Sequence, residues 1–89
     1  NPFTPRALSP RGIERQIRAF AKATARAREA GYDGVEVMGS EGYLLNQFTV
    51  PRTNRRQDGW GGDGAARMRF AVEIVRRVRE ACGPDFILI

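Results

Sequence analysis

The residues best suited to chemistry lie between Met38 and Gly62, and foremost among them is Tyr43 in the run Gly39-Ser40-Glu41-Gly42-Tyr43. A phenolic hydroxyl is protonated at neutral pH and can give its proton to a carbanion or enolate. Glu41, two residues earlier, could hydrogen-bond that hydroxyl or pass a proton along, and Gly39 and Gly42 let the backbone turn tightly beside it. The spacing also admits a plainer arrangement, in which the Tyr43 ring packs under the loop and Glu41 faces water. Further on, Arg52-Thr53-Asn54-Arg55-Arg56-Gln57-Asp58-Gly59-Trp60-Gly61-Gly62 concentrates three arginines around one aromatic. Guanidinium forks suit carboxylates and phosphates, so an anionic substrate could be clamped here. The alternative is an ordered loop in which Asp58 pairs with an arginine and Trp60 packs. Gly59-Trp60-Gly61-Gly62 lacks both the lysine and the spacing of a phosphate-binding loop. Trp60 is a single stacking platform, too little for a nucleic-acid partner to be expected.

These residues need a scaffold. Ser9-Pro10 is a helix-start pair, serine capping free N–H groups and proline fitting the first helical position. Ile13, Ile17, Phe20, Ala21, Thr24 and Ala27 then recur at three- and four-residue steps, with Arg15, Arg18, Lys22, Arg26 and Arg28 largely off that stripe. Gly31 is expected as a left-handed cap, and Val35 and Val37 begin a strand. After a long polar loop, Asp63 caps a second helix whose expected buried positions are Ala71, Ile74, Val75, Val78 and Cys82. Gly83-Pro84 stops it, and Phe86–Ile89 form a second strand. The order helix-strand-loop-helix-strand, with similar helix-to-strand turns at Arg28–Val35 and Arg79–Phe86, predicts an α/β fold of successive parallel units. A (β/α)8 TIM barrel is the natural parent, because it repeats this unit and carries long loops at the carboxyl ends of its strands. Tyr43 sits on such a loop.

The 89 residues are 42% hydrophobic and 28% charged, the composition of a folded protein. The chain opens on Asn1-Pro2 without methionine and stops in the apolar run Phe86–Ile89, so residues 1–89 read as part of a barrel, with the rest of the parent chain as partner. The net charge of +5 is almost wholly arginine, Lys22 being the one lysine. It fits solvated helix faces or an anionic ligand. Cys82 is the one cysteine and there is no histidine, so this chain alone assembles neither a disulfide nor a zinc site. No apolar run approaches the roughly 20 residues of a membrane span. The lone cysteine fits a reducing cytosol, and a cytoplasmic location with no membrane partner is the expectation.

Taken together, Ala30-Gly31-Tyr32-Asp33-Gly34-Val35-Glu36-Val37, Gly42-Tyr43-Leu44-Leu45-Asn46-Gln47-Phe48, Thr53-Asn54-Arg55-Arg56 with Asp58 and Gly61-Gly62, and Arg67 with Arg69-Phe70 resemble the Old Yellow Enzyme family of flavin oxidoreductases. The resemblance covers nearly the whole chain and implies a (β/α)8 barrel holding FMN. Most members carry a histidine directly after the strand and a histidine or asparagine three residues later, both reaching the substrate carbonyl. Those positions are Met38 and Glu41 here. Residues 35–43 are instead similar to the bacterial NADPH-dependent 2,4-dienoyl-CoA reductases. That branch implies Tyr43 as proton donor with Glu41 beside it, Arg52 in contact with an acyl-CoA substrate, and Met38 at the substrate. Pro51 is closer to the wider family. The implied reaction is hydride transfer from reduced FMN to the distal end of a conjugated dienoyl thioester, after which Tyr43 protonates carbon. The branch also implies FAD, a 4Fe-4S cluster and NADPH, held outside these residues, and a place in fatty-acid breakdown. Two alternatives stand beside this one. The first is a general ene reductase or amine dehydrogenase of the same family, and the second is a non-catalytic anion-binding module.

Overall fold

A computed structural model describes residues 2–89. Five elements follow in order: α1 (Pro10–Glu29), β1 (Gly34–Val35), α2 (Leu44–Thr49), α3 (Gly64–Cys82) and β2 (Ile87–Leu88). Both long helices begin as the sequence predicts. Ser9 accepts from the Gly12 N–H with Pro10 in the first turn, and Asp63 accepts from the Ala66 N–H at 2.8 Å. Gly31 adopts φ +96°, a backbone conformation that leaves the helix without a Cβ penalty.

The strands pair in parallel, Gly34 with Ile87 and Val35 with Leu88. The ladder reaches past them at both ends: the Ile87 N–H donates to Asp33 O, the Ile89 N–H to Val35 O, and the Val37 N–H to Ile89 O. Apart from the short α2 inserted after β1, this is the α-β-α-β order with a parallel register that repeated barrel units require.

The core lies chiefly where α1 meets α3. Ile13 and Ile17 of α1 and Phe70, Ile74 and Val78 of α3 are almost fully buried. Two expectations are corrected here. Val75, placed in the core by its spacing, is 46% exposed, and Ala71 is half-buried. The helix has turned so that Phe70 takes the deepest position, because α2 offers an aromatic partner there: the Phe48 and Phe70 rings lie 4.3 Å apart between centroids. The α2 helix itself is the second correction, since its residues were expected as loop. Its Leu45 and Phe48 are buried in the same core.

Ile74→Val, which removes one methylene from a site with no solvent access, is expected to lower stability by about 1 kcal/mol. A fall in the urea midpoint with an unchanged slope would confirm that this position packs without slack.

Candidate active site

The chain between β1 and α2 turns on Glu41 and Gly42. Both have positive φ, +60° and +78°, and the Tyr43 N–H closes the turn on Ser40 O at 3.3 Å. Two successive left-handed residues make a primed turn, which glycine tolerates and glutamate adopts at a cost. Two side chains of the following helix hold the turn in place. Asn46 Oδ1 accepts from the Gly42 N–H at 2.9 Å, and Gln47 Nε2 donates to Gly42 O at 2.6 Å. Tyr43 thereby becomes the amino-terminal cap residue of α2, making no side-chain cap bond, and its side chain stands 60% exposed. The ring does not pack under the loop. Met38 and Glu41 are exposed on the same segment, with Ser40 Oγ donating to Met38 Sδ at 3.5 Å.

Arg52 falls just after α2, exposed and without a side-chain hydrogen bond among the described residues. The other two arginines of the basic half serve structure in different degrees. Arg55 Nε reaches Arg52 O, while Arg56 grips Asp58 through both Nε (3.0 Å) and Nη2 (2.6 Å) and donates from Nη1 to Leu8 O at 2.7 Å. The Arg56 guanidinium holds the Asp58 carboxyl below the usual carboxylate range, helped by the Trp60 N–H. Trp60 lies under Arg69, whose guanidinium carbon is 4.2 Å from a ring centroid. The ordered-loop alternative therefore holds for Asp58, Arg56 and Trp60, and Arg52 is the arginine left open to a ligand.

Sequence reasoning did not single out Asn54. It is 93% buried, and its amide donates to Phe48 O (2.7 Å) and Trp60 O (2.8 Å) while its Oδ1 accepts from the Arg56 N–H (3.1 Å). An asparagine between two arginines in a turn-rich stretch gave only the signal that such side chains commonly replace backbone partners. Arg67 completes the bracing from α3, with Nε on Thr49 O and Nη1 on Gly62 O.

Leu8, at the foot of α1, is bonded to this loop through Arg56, so the amino end of α1 and the loop after β1 occupy the same end of the sheet. The arrangement is that of a (β/α)8 barrel section, with a polar loop standing at the carboxyl end of a parallel strand. All 89 residues match the NADH:flavin oxidoreductase / NADH oxidase family, and the chain belongs to it. It is 50% identical over 86 residues to a metal reductase of Desulforamulus reducens, covering 97% of this chain and 13% of that protein. Among solved structures it is similar to a morphinone reductase, with a TM-score of 0.90 and 42% identity over 97% of this chain and 23% of that one. It is also similar to a 2-naphthoyl-CoA reductase solved with 2-naphthoyl-CoA, with a TM-score of 0.92 and 39% identity over 94% of this chain and 13% of that one. The chain thus spans a small part of each of these relatives. Within the family, the chemistry is flavin-dependent oxidation and reduction with FMN.

A cavity of about 150 Å³ between Leu8, Leu44, Phe48 and Asn54 is well below the several hundred Å³ of a cofactor site. No buried side-chain nitrogen or oxygen among the described residues lacks a partner, so none is left waiting for one. What this chain offers is four exposed side chains, Met38, Glu41, Tyr43 and Arg52.

A Cβ on Gly61 would lie 2.6 Å from the Arg56 Cβ and 2.9 Å from its carbonyl oxygen. Gly61→Ala is accordingly expected to loosen residues 53–62, read as faster amide exchange there while α1 and α3 keep their protection. Acid should act on the same loop. A depressed carboxyl contributes stability that is present above its unfolded pKa of about 3.9 and is lost as pH falls through the folded value. Amide protection across residues 56–61, measured against the intrinsic rate at each pH, should therefore fall below about pH 4, and Asp58→Asn should abolish that dependence.

Proposed function

We propose that this chain is part of the FMN-binding barrel of an NADPH-dependent flavin oxidoreductase that reduces a conjugated 2,4-dienoyl-CoA, with Tyr43 as the acid. The observation that carries the reading is the presentation of Tyr43: an exposed phenol at the head of α2, beyond the carboxyl end of β1, fixed by the Glu41–Gly42 turn. Hydride chemistry would come from the flavin held by the whole barrel. This chain's residues handle the proton and the substrate. The Tyr43 hydroxyl gives its proton to the carbanionic carbon of the reduced thioester, and a neutral phenol does so without placing a charge in the site beforehand. Glu41, on the same turn, returns a proton to the phenol or orients it. Met38 supplies an apolar, polarizable wall for the diene, and Arg52 meets the anionic coenzyme. The likeness to a 2-naphthoyl-CoA reductase supports a CoA thioester as the substrate class.

The reading extends to a cytoplasmic protein of fatty-acid breakdown, whose parent chain would hold FAD and a 4Fe-4S cluster outside these residues to supply electrons from NADPH. No helix among the described residues is long and apolar enough to cross a membrane. A second reading, a general ene reductase, is favoured by the likeness to morphinone reductase.

Anaerobic NADPH oxidation with a medium-chain 2,4-dienoyl-CoA against a cyclic enone separates the two, and a preference for the thioester is expected. Tyr43→Phe should lower kcat by about 10²- to 10⁴-fold with flavin content unchanged. Loss of flavin instead would make the residue structural. Arg52→Ala should raise KM for the thioester and leave KM for the enone where it was.

A further inference from the structure

We propose that the arginine groove on the outer face of α1 binds the phosphoadenosine diphosphate end of coenzyme A. This rests on the thioester reading above. The groove is open, about 370 Å³, and lined by Ser9, Arg11, Arg15 and Arg18. Lys22 and Arg26 continue the same face, so that cations recur at intervals of three or four residues over fifteen positions, roughly 22 Å of helix. The face is directed away from the core stripe of Ile13, Ile17 and Thr24.

Two features set this face apart from an ordinary solvated one. On α3 one exposed arginine carries acids at helical spacing, Arg76 bridging Glu73 at 2.6 Å and Glu80 at 2.8 Å, and the other, Arg69, is held by Gly59 O and Trp60. Between Arg11 and Arg26 the single acid is Glu14, and it is turned to Arg77 of α3 at 2.8 Å. None of the five cations has a side-chain hydrogen bond or ion pair among the described residues. Five of the chain's fifteen cations thus lie along one side of one helix.

Location supplies the choice of ligand. The Arg56 bond to Leu8 O puts the amino end of α1, and with it Ser9 and Arg11, at the end of the sheet that carries Tyr43 and Arg52. On this proposal the thioester lies with its acyl group at Tyr43 and its diphosphate and 3′-phosphate leaving over the rim. Guanidinium forks match phosphate oxygens two at a time. Ser9 Oγ accepts from the Gly12 N–H, which leaves its own O–H to donate.

The test is equilibrium binding of coenzyme A, 3′-dephospho-coenzyme A and NADPH to the flavin-loaded protein, for the wild type and for Arg11→Gln/Arg15→Gln. Tighter binding of coenzyme A than of the dephospho form is expected in the wild type, falling with added salt. The double variant should lose about ten-fold or more of the coenzyme A affinity and most of the preference for the 3′-phosphate. Arg15→Lys, which keeps the charge and loses the fork, should fall between the two and guards against misfolding of the double variant. Equal binding of both coenzymes, unchanged by the substitutions, would overturn the proposal, and so would an effect confined to NADPH. Failure of the thioester reading shows separately, as a wild type that reduces the enone and not the dienoyl-CoA.

Discussion

The candidate site depends on one buried amide. Asn54 joins the end of α2 to the tryptophan turn and to the backbone of Arg56, three partners that lie apart in the local chain. In a nearly dry position each of those bonds is worth more than in water, and any one left unmade would cost the full desolvation of the orphaned group. The close seat of Gly61 against Arg56 and the Asp58 grip on the same arginine follow from it. With the carboxyl end of α2 fixed there, the short helix is a rigid strut, and the turn that presents Tyr43 is its other end.

The strut is also held by oil. Phe48 meets Phe70, and Phe70 is packed in the seam with Ile13, Ile17 and Ile74. The polar anchor specifies the path of the loop and the aromatic pair gives it cohesion. A helix of six residues could not stand by itself in water, since nucleation costs more than so few hydrogen bonds return. It exists because α1 and α3 receive its apolar face.

That dependence explains what the sequence made legible. The two long helices announced themselves through caps and periodicity, and the parallel strands through repetition of one helix-to-strand turn. Tyr43 stood out because a phenol among glycines after a strand has a chemical meaning. The α2 helix did not stand out: Leu44–Thr49 is too short for a period to declare itself, and its cap residue is a tyrosine, which has no place among the usual caps. Val75 was misplaced for a related reason, because periodicity reports a stripe and not which edge of it a neighbour will claim. Asn54 was hidden because its importance lies in partners that only the folded loop brings within reach.

The turn at Glu41 has a further meaning for variation. A glutamate with φ +60° occupies a conformation that glycine or asparagine enters more easily, so the backbone alone would select against it. A carboxylate kept there lives at the expense of local ease. Replacement by glycine would relax the turn while deleting the acid, and replacement by a β-branched residue would oppose the turn itself. The two kinds of change would separate the geometry of this corner from its charge, which makes position 41 a natural place for related chains to diverge in chemistry without disturbing the frame beneath.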